Sequence, residues 1–185
     1  MIVKIANLPD NNIINGLDKY DVDCILFSGS EEKIEELSEK LTPKYTSLFP
    51  YDENGQLHHN ALLSKYASQD TRNYAIGEPG SNSELIYGRI VIQGENLHLF
   101  SMTNFSEKHE TMMALIKLVE IIKGIELGEA IIIRSNVKEQ ESREMISNSL
   151  NTIEGMTDMN KAIYSKNLHI DKIEIIDNAQ IISYK

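Results

Sequence analysis

A chain of 185 residues, 41% of them hydrophobic and 25% charged, is long enough to bury one substantial core and too apolar for wholesale disorder. Its 28 acidic against 18 basic residues leave a formal charge of −10, which argues against an extended grip on nucleic acid or anionic lipid, since such a grip neutralises phosphates with a basic face. The single cysteine, Cys24, excludes an internal disulfide and with it a secreted disulfide scaffold.

Ile2, Val3 and Ile5 mark a first strand over 1–8, ended by Pro9-Asp10-Asn11-Asn12. No charged-then-apolar leader opens the chain, and no apolar run approaches the ~18 residues of a membrane span, so a cytoplasmic location is expected. A short helix or turn near 13–20 leads into a strand over 22–27, where Cys24 reads as a small core residue. Ser28-Gly29-Ser30 then introduces a helix from Glu31 to about Leu41, with Ser30 as N-cap, Glu31 and Glu32 complementing the dipole, and Thr42-Pro43 as the stop. Tyr45 to Gln56 contains Pro50 and Gly55 and reads as loop; Leu57, Ala61, Leu62 and Tyr66 carry helical spacing over 57–68.

Gly77-Glu78-Pro79-Gly80-Ser81-Asn82-Ser83 is the most linker-like run. It is read as a mobile loop around 77–84 on one compact domain spanning 1–185, lying between an N-terminal lobe (1–76) and the remainder (85–185). The most legible block follows: a strand over 85–92, a tight connection at Gly94-Glu95-Asn96, and a second strand over 97–102. An amphipathic helix over about 106–123 and a buried-looking strand at 130–133 complete it. The many apolar positions of that helix, among them Met112, Met113 and Ile116, suggest a core helix between layers. Met145, Ile146, Leu150 and Ile153 place a further helix over 138–153, stopped at Gly155; Thr157 or Asp158 caps a short one to Ser165. The end of the chain, 168–184, reads as a hairpin. The expected fold is α+β, or a mixed-sheet α/β, mostly antiparallel, with about four to five covering helices.

Among candidate sites, Ser28-Gly29-Ser30 lies where α/β folds bind phosphate on helix amides, but it lacks the spaced glycines or Gly-Lys-Ser ending, and Glu31 and Glu32 would repel an anion. Two histidines occupy similar settings, Asn96-Leu97-His98-Leu99 and Asn167-Leu168-His169-Ile170. This pair of stretches faintly resembles the 2H phosphoesterase family, in which two His-x-Thr/Ser motifs face each other across a cleft. The resemblance implies one histidine as general base and the other as general acid on a phosphodiester. Phe100 and Asp171 stand where that family has its hydroxyls. Arg72, Ser101-Met102-Thr103 and Glu139-Gln140-Glu141 follow in the order that resembles an ADP-ribosyltransferase, with a degenerate middle motif. His58-His59-Asn60 resembles part of an HNH metal site, but adjacent histidines on a helix diverge by about 100° and cannot share one ion. His109 reads as solvated.

The residues are therefore read as an acidic, non-catalytic interaction protein that binds and modulates another macromolecule. An inhibitor, an immunity- or antitoxin-like protein, or a phage- or pathogen-encoded modulator would fit. Its docking residues would be Glu31, Glu32, Glu35, Glu36, Glu39, Glu139 and Glu141, facing a protein partner with a basic surface. No cofactor, metal, membrane or extended nucleic acid is expected. The alternative is a small phosphodiesterase or nucleotide-processing enzyme that uses His98 and His169, with Arg89 and Arg134 holding the phosphate.

Overall fold

The computed structural model describes residues 3–8, 16–41, 45–53, 55–76, 84–103, 108–137, 140–158, 163–176 and 179–184. In chain order the elements are β1 (Val3–Asn7), β2 (Cys24–Ser30), α1 (Glu31–Leu41), β3 (Tyr45–Glu53), β4 (Gln56–Ser64), β5 (Ser68–Ala75), β6 (Glu84–Ile92) and β7 (Glu95–Thr103). Then come α2 (Lys108–Lys123), β8 (Ala130–Asn136), α3 (Gln140–Leu150), β9 (Met156–Asp158), β10 (Ile163–Lys166), β11 (Ile170–Ile176) and β12 (Ala179–Tyr184). A 3-10 turn at Leu17–Tyr20 precedes β2. The fold is a mixed α/β arrangement of two six-stranded sheets and, among the described residues, three α-helices.

The chain divides into two compact units, Met1–Ser68 with Leu168–Lys185, and Gln69–Asn167. Residues 77–83, read as a mobile loop, lie outside the described residues. The first unit carries the sheet β11-β12-β1-β2-β4-β3, and the second carries β5-β6-β7-β8-β10-β9. Each sheet has the same plan. Its third and fourth strands, β1 with β2 and β7 with β8, run parallel, while the other registers described are antiparallel.

In the first unit, Ala6, Ile25, Phe27, Ala61, Leu63 and Ile181 line the sheet face that packs against Ile34 and Leu37 of α1. The opposite face is buried too and carries polar pairs: Ser28 Oγ donates to Asn60 Oδ1 at 2.6 Å, and Cys24 Sγ lies 3.5 Å from Ser64 Oγ. Burial pushes the Cys24 thiol up to about 12, which makes it an inert core residue.

In the second unit, Leu85, Tyr87, Phe100, Met102, Ile131 and Ile133 meet Ala114, Leu115, Leu118 and Ile122 of α2 and Ile146 and Leu150 of α3. β6 and β7 form a hairpin whose two-residue turn, Gln93-Gly94, has positive φ at both positions (55° and 89°), the geometry that matches strand twist. The parallel partner β8 is reached through α2, as a βαβ unit requires. On α2, Met112, Met113 and Ile116 are exposed, so the helix covers one sheet and is not enclosed between layers.

Two expected helices are strands. Residues 57–68 fall on β4 and the start of β5; of 157–165, 157–158 fall on β9 and 163–165 on β10, and 159–162 lie outside the described residues. From His58 to Ser64 every residue of β4 is buried, so both faces are covered and the alternation that marks a half-exposed strand is absent. The expected loop at 45–56 is largely β3, an edge strand, the one place where Pro50 costs no ladder bond.

Candidate functional site

Strands place side chains of alternate residues on one face, and three neighbouring strands of the second unit use this to assemble a polar pocket. β5 contributes Asp70, Arg72 and Tyr74; β6 contributes Tyr87 and Arg89; β7 contributes Asn96 and His98. Arg89 lies directly across from His98 in the hairpin register. Lys117, Glu120 and Ile121 of α2, the turn that follows the helix, and Glu129 just before β8 close a pocket of about 500 Å³.

His98 is its best-anchored member, 3% exposed and held on both ring nitrogens. Nε2 lies 2.7 Å from Glu129 Oε2, and Nδ1 lies 3.0 Å from the Tyr87 hydroxyl. An ionised carboxylate only accepts, so His98 Nε2–H donates to Glu129; in that tautomer, with a single ring proton, Nδ1 accepts from the Tyr87 O–H. Glu129 is fixed in turn: Asn96 Nδ2 donates to its other oxygen, and Asn167 Nδ2 donates to its backbone carbonyl at 2.9 Å. Gly128 precedes it at φ 102°, a conformation that a side chain would strain, and this turn aims the carboxylate at the ring.

The charges are unevenly paired. Arg72 is gripped by Asp70, with Nε to Oδ1 at 3.2 Å and the second nitrogen to Oδ2 at 2.9 Å. Lys117 pairs with Glu120 at 3.2 Å and lies 5.3 Å from the centroid of the Tyr74 ring. Arg89 has no carboxylate partner among the described residues, and its Nε is buried without an acceptor. The Arg89 guanidinium is thus half-buried at the pocket wall without a counter-ion among the described residues.

Two titrations follow from this geometry. Burial raises the Tyr87 phenol, opposed by the charge of Arg89. The Asn96 amide, followed by the hydrogen bond from His98, holds the Glu129 carboxyl below its ordinary 4.5, with burial opposing. A carboxyl depressed in the folded state contributes stability that is complete above its unfolded value and is lost as pH falls through the folded one. Glu129→Gln should therefore flatten the acid limb of stability below about pH 4.5. Urea unfolding between pH 7 and 3 checks this, and parallel curves for the two proteins would contradict it.

The other residues singled out from sequence lie elsewhere. His169 is exposed just before β11 and belongs to the first unit, whereas His98 is buried in β7 of the second. The two matching asparagines, Asn96 and Asn167, both bond Glu129. Arg134 is 2% exposed, donates to Ser101 Oγ at 3.1 Å, and does not line the pocket. His58 and His59 are adjacent on β4 and so point to opposite faces, and His109 is exposed. Ser28 and Gly29 are buried within β2, which runs on to Ser30 without a phosphate loop.

The proposed acidic docking helix is partly neutralised, because Glu36 pairs with Lys33 at 3.2 Å and with Lys40 at 2.7 Å. Glu31, Glu32, Glu35 and Glu39 are exposed on α1; Glu141 of α3 pairs with Lys108, and Glu139 lies outside the described residues. Tyr87, Asn96, Glu129, Asp70, Tyr74 and Lys117 were not singled out from sequence. The alternation Asn96-x-His98 was the available signal for Asn96. Among the described residues no three His, Cys, Asp or Glu side chains converge as a metal-binding group.

No family model matches the chain, and no curated protein sequence matches it. Solved structures do. Zebrafish (D. rerio) TDP2 complexed with a single-strand DNA product is 12% identical, with TM-score 0.68, covering 100% of this chain and 99% of that one. An endonuclease/exonuclease/phosphatase from Bacteroides vulgatus is 10% identical, with TM-score 0.68 and coverage of 100% and 99%. The human Nocturnin catalytic domain with bound sulfate is 11% identical, with TM-score 0.67 and coverage of 100% and 94%. At these identities the likeness establishes the fold. It overturns the reading as a non-catalytic inhibitor or immunity-like protein with a basic protein partner, since the whole chain follows the fold of nucleic-acid and phosphoester enzymes. The pocket itself carries both signs: Arg72, Arg89 and Lys117 line it together with Asp70, Glu120, Glu126 and Glu129. No helix among the described residues is long and apolar enough to cross a membrane.

Proposed function

We propose that this chain is a phosphoester-processing enzyme acting on a nucleotide or a short single-stranded nucleic acid, in a cytoplasmic setting. The observation that carries it is the fold, which follows solved endonuclease/exonuclease/phosphatase and TDP2 structures along the full chain. The pocket supports it in detail. Arg89 offers an unpaired cation to a phosphate, and Glu129, His98 and Tyr87 form a connected set of proton-handling groups beside it. A volume of about 500 Å³ suits a nucleotide-sized ligand.

The test is hydrolysis of bis(4-nitrophenyl) phosphate, a dinucleotide and a short single-stranded oligonucleotide, each with magnesium and with EDTA. Turnover of at least one substrate is expected, falling about 10²-fold in Arg89→Ala as the phosphate loses its donor. No turnover above buffer for any of them in either condition would overturn the proposal.

A further inference from the structure

The pocket holds a hydroxyl, a base and an orienting carboxylate in sequence. The Tyr87 O–H meets His98 Nδ1 at 3.0 Å, and His98 Nε2–H meets Glu129 at 2.7 Å. Both distances lie within reach of proton transfer, and the third group fixes the ring's tautomer, which together are the signature of an activated nucleophile. His98 itself has no nitrogen left for a substrate. The terminal group of the chain is therefore Tyr87, whose ring lines the pocket two residues along β6 from Arg89 and on the same face.

We propose that Tyr87 is the nucleophile of this site, activated by His98 and Glu129, and that it forms a transient phosphotyrosyl ester with a substrate whose phosphate is held by Arg89. This rests on the phosphoester reading above. In the first step Tyr87 Oη bonds to phosphorus while the phosphorus–oxygen bond to the leaving group breaks. The phenolic proton passes to His98 Nδ1 and stays on the imidazolium, stabilised by Glu129, while the departing oxygen, on the opposite side of phosphorus, takes its proton from water. Water then attacks the ester phosphorus from the side opposite Oη and loses its proton to solvent, the Oη–P bond breaks, and the imidazolium returns its proton from Nδ1 to the phenol. No group is oxidised or reduced. The base is needed because burial disfavours a free phenolate at this position.

A fluorophosphonate probe tests this without knowledge of the natural substrate, since Oη–P bond formation expels fluoride. With the full chain, peptide mapping should find the adduct on Tyr87 in preference to the exposed Tyr45. The rate should fall by about 10²-fold in His98→Gln and in Glu129→Gln. Glu129→Gln is isosteric, so it still reads out should the buried His98 variant fail to fold. Tyr87→Phe should take no adduct in the pocket. Labelling of Tyr45 as fast as Tyr87, an unmodified Tyr87, or equal rates in wild type and Glu129→Gln would overturn the nucleophile. Selective Tyr87 labelling in a protein that hydrolyses no phosphoester would instead overturn the reading of the reaction and leave the nucleophile standing.

Discussion

Glu129→Gln is expected to lower phosphoester turnover by about 10⁴-fold while leaving the protein folded at neutral pH. Asn96 donates to one oxygen of Glu129, and in the variant that donor keeps the amide oxygen on its own side. The amide nitrogen is then turned toward His98 Nε2, which must accept rather than donate. The proton shifts to Nδ1, and the Tyr87 hydroxyl, at 3.0 Å, faces a donor instead of a base. Substrate binding should change little, because Arg89 is untouched, so the loss falls on kcat and not on KM. A loss below tenfold, measured by steady-state kinetics on a folded variant, would show that the ring's tautomer does not matter to the reaction.

Phe100→Ala should destabilise the second unit by about 3–5 kcal/mol. The ring is fully buried among Leu85, Met102 and the apolar face of α2, and Ile133 stands opposite it in the register of β7 with β8. Truncation leaves a cavity that a sheet under a helix closes poorly. Its centroid also lies 5.1 Å from that of Tyr87, so the same substitution loosens the wall that orients the phenol. Urea unfolding measures the loss; a value under about 1 kcal/mol would mean that Phe100 is not the keystone of this core.

The hairpin of β6 and β7, the helix α2 and the terminal hairpin of β11 and β12 were legible because each has one covered face or a turn of distinctive composition. β4 was not, because a strand buried on both sides shows no alternation, and Leu57, Ala61 and Leu62 fit a helical spacing equally well. β3 was hidden by Pro50, which signals a loop unless the strand is known to be an edge. The site was half visible. Arg89 and His98 drew attention singly, one as a cation and the other as an imidazole in a strand. Glu129 sits in a short turn before β8, 31 residues beyond His98, and nothing local distinguishes it from other surface carboxylates. The convergence of Asp70, Tyr87, Asn96 and Glu129 follows from strand order, which no single stretch encodes.

The first sheet is closed by a pairing between the two ends of the chain: β12 lies antiparallel to β1, with Val3 opposite Tyr184. The second unit is one uninterrupted stretch, Gln69–Asn167, inserted between the two segments of the first. On a ribosome the inserted body can mature as soon as it clears the exit tunnel, whereas the first sheet waits for β11 and β12. Until β12 emerges, the flank of β1 stays open to stray pairing.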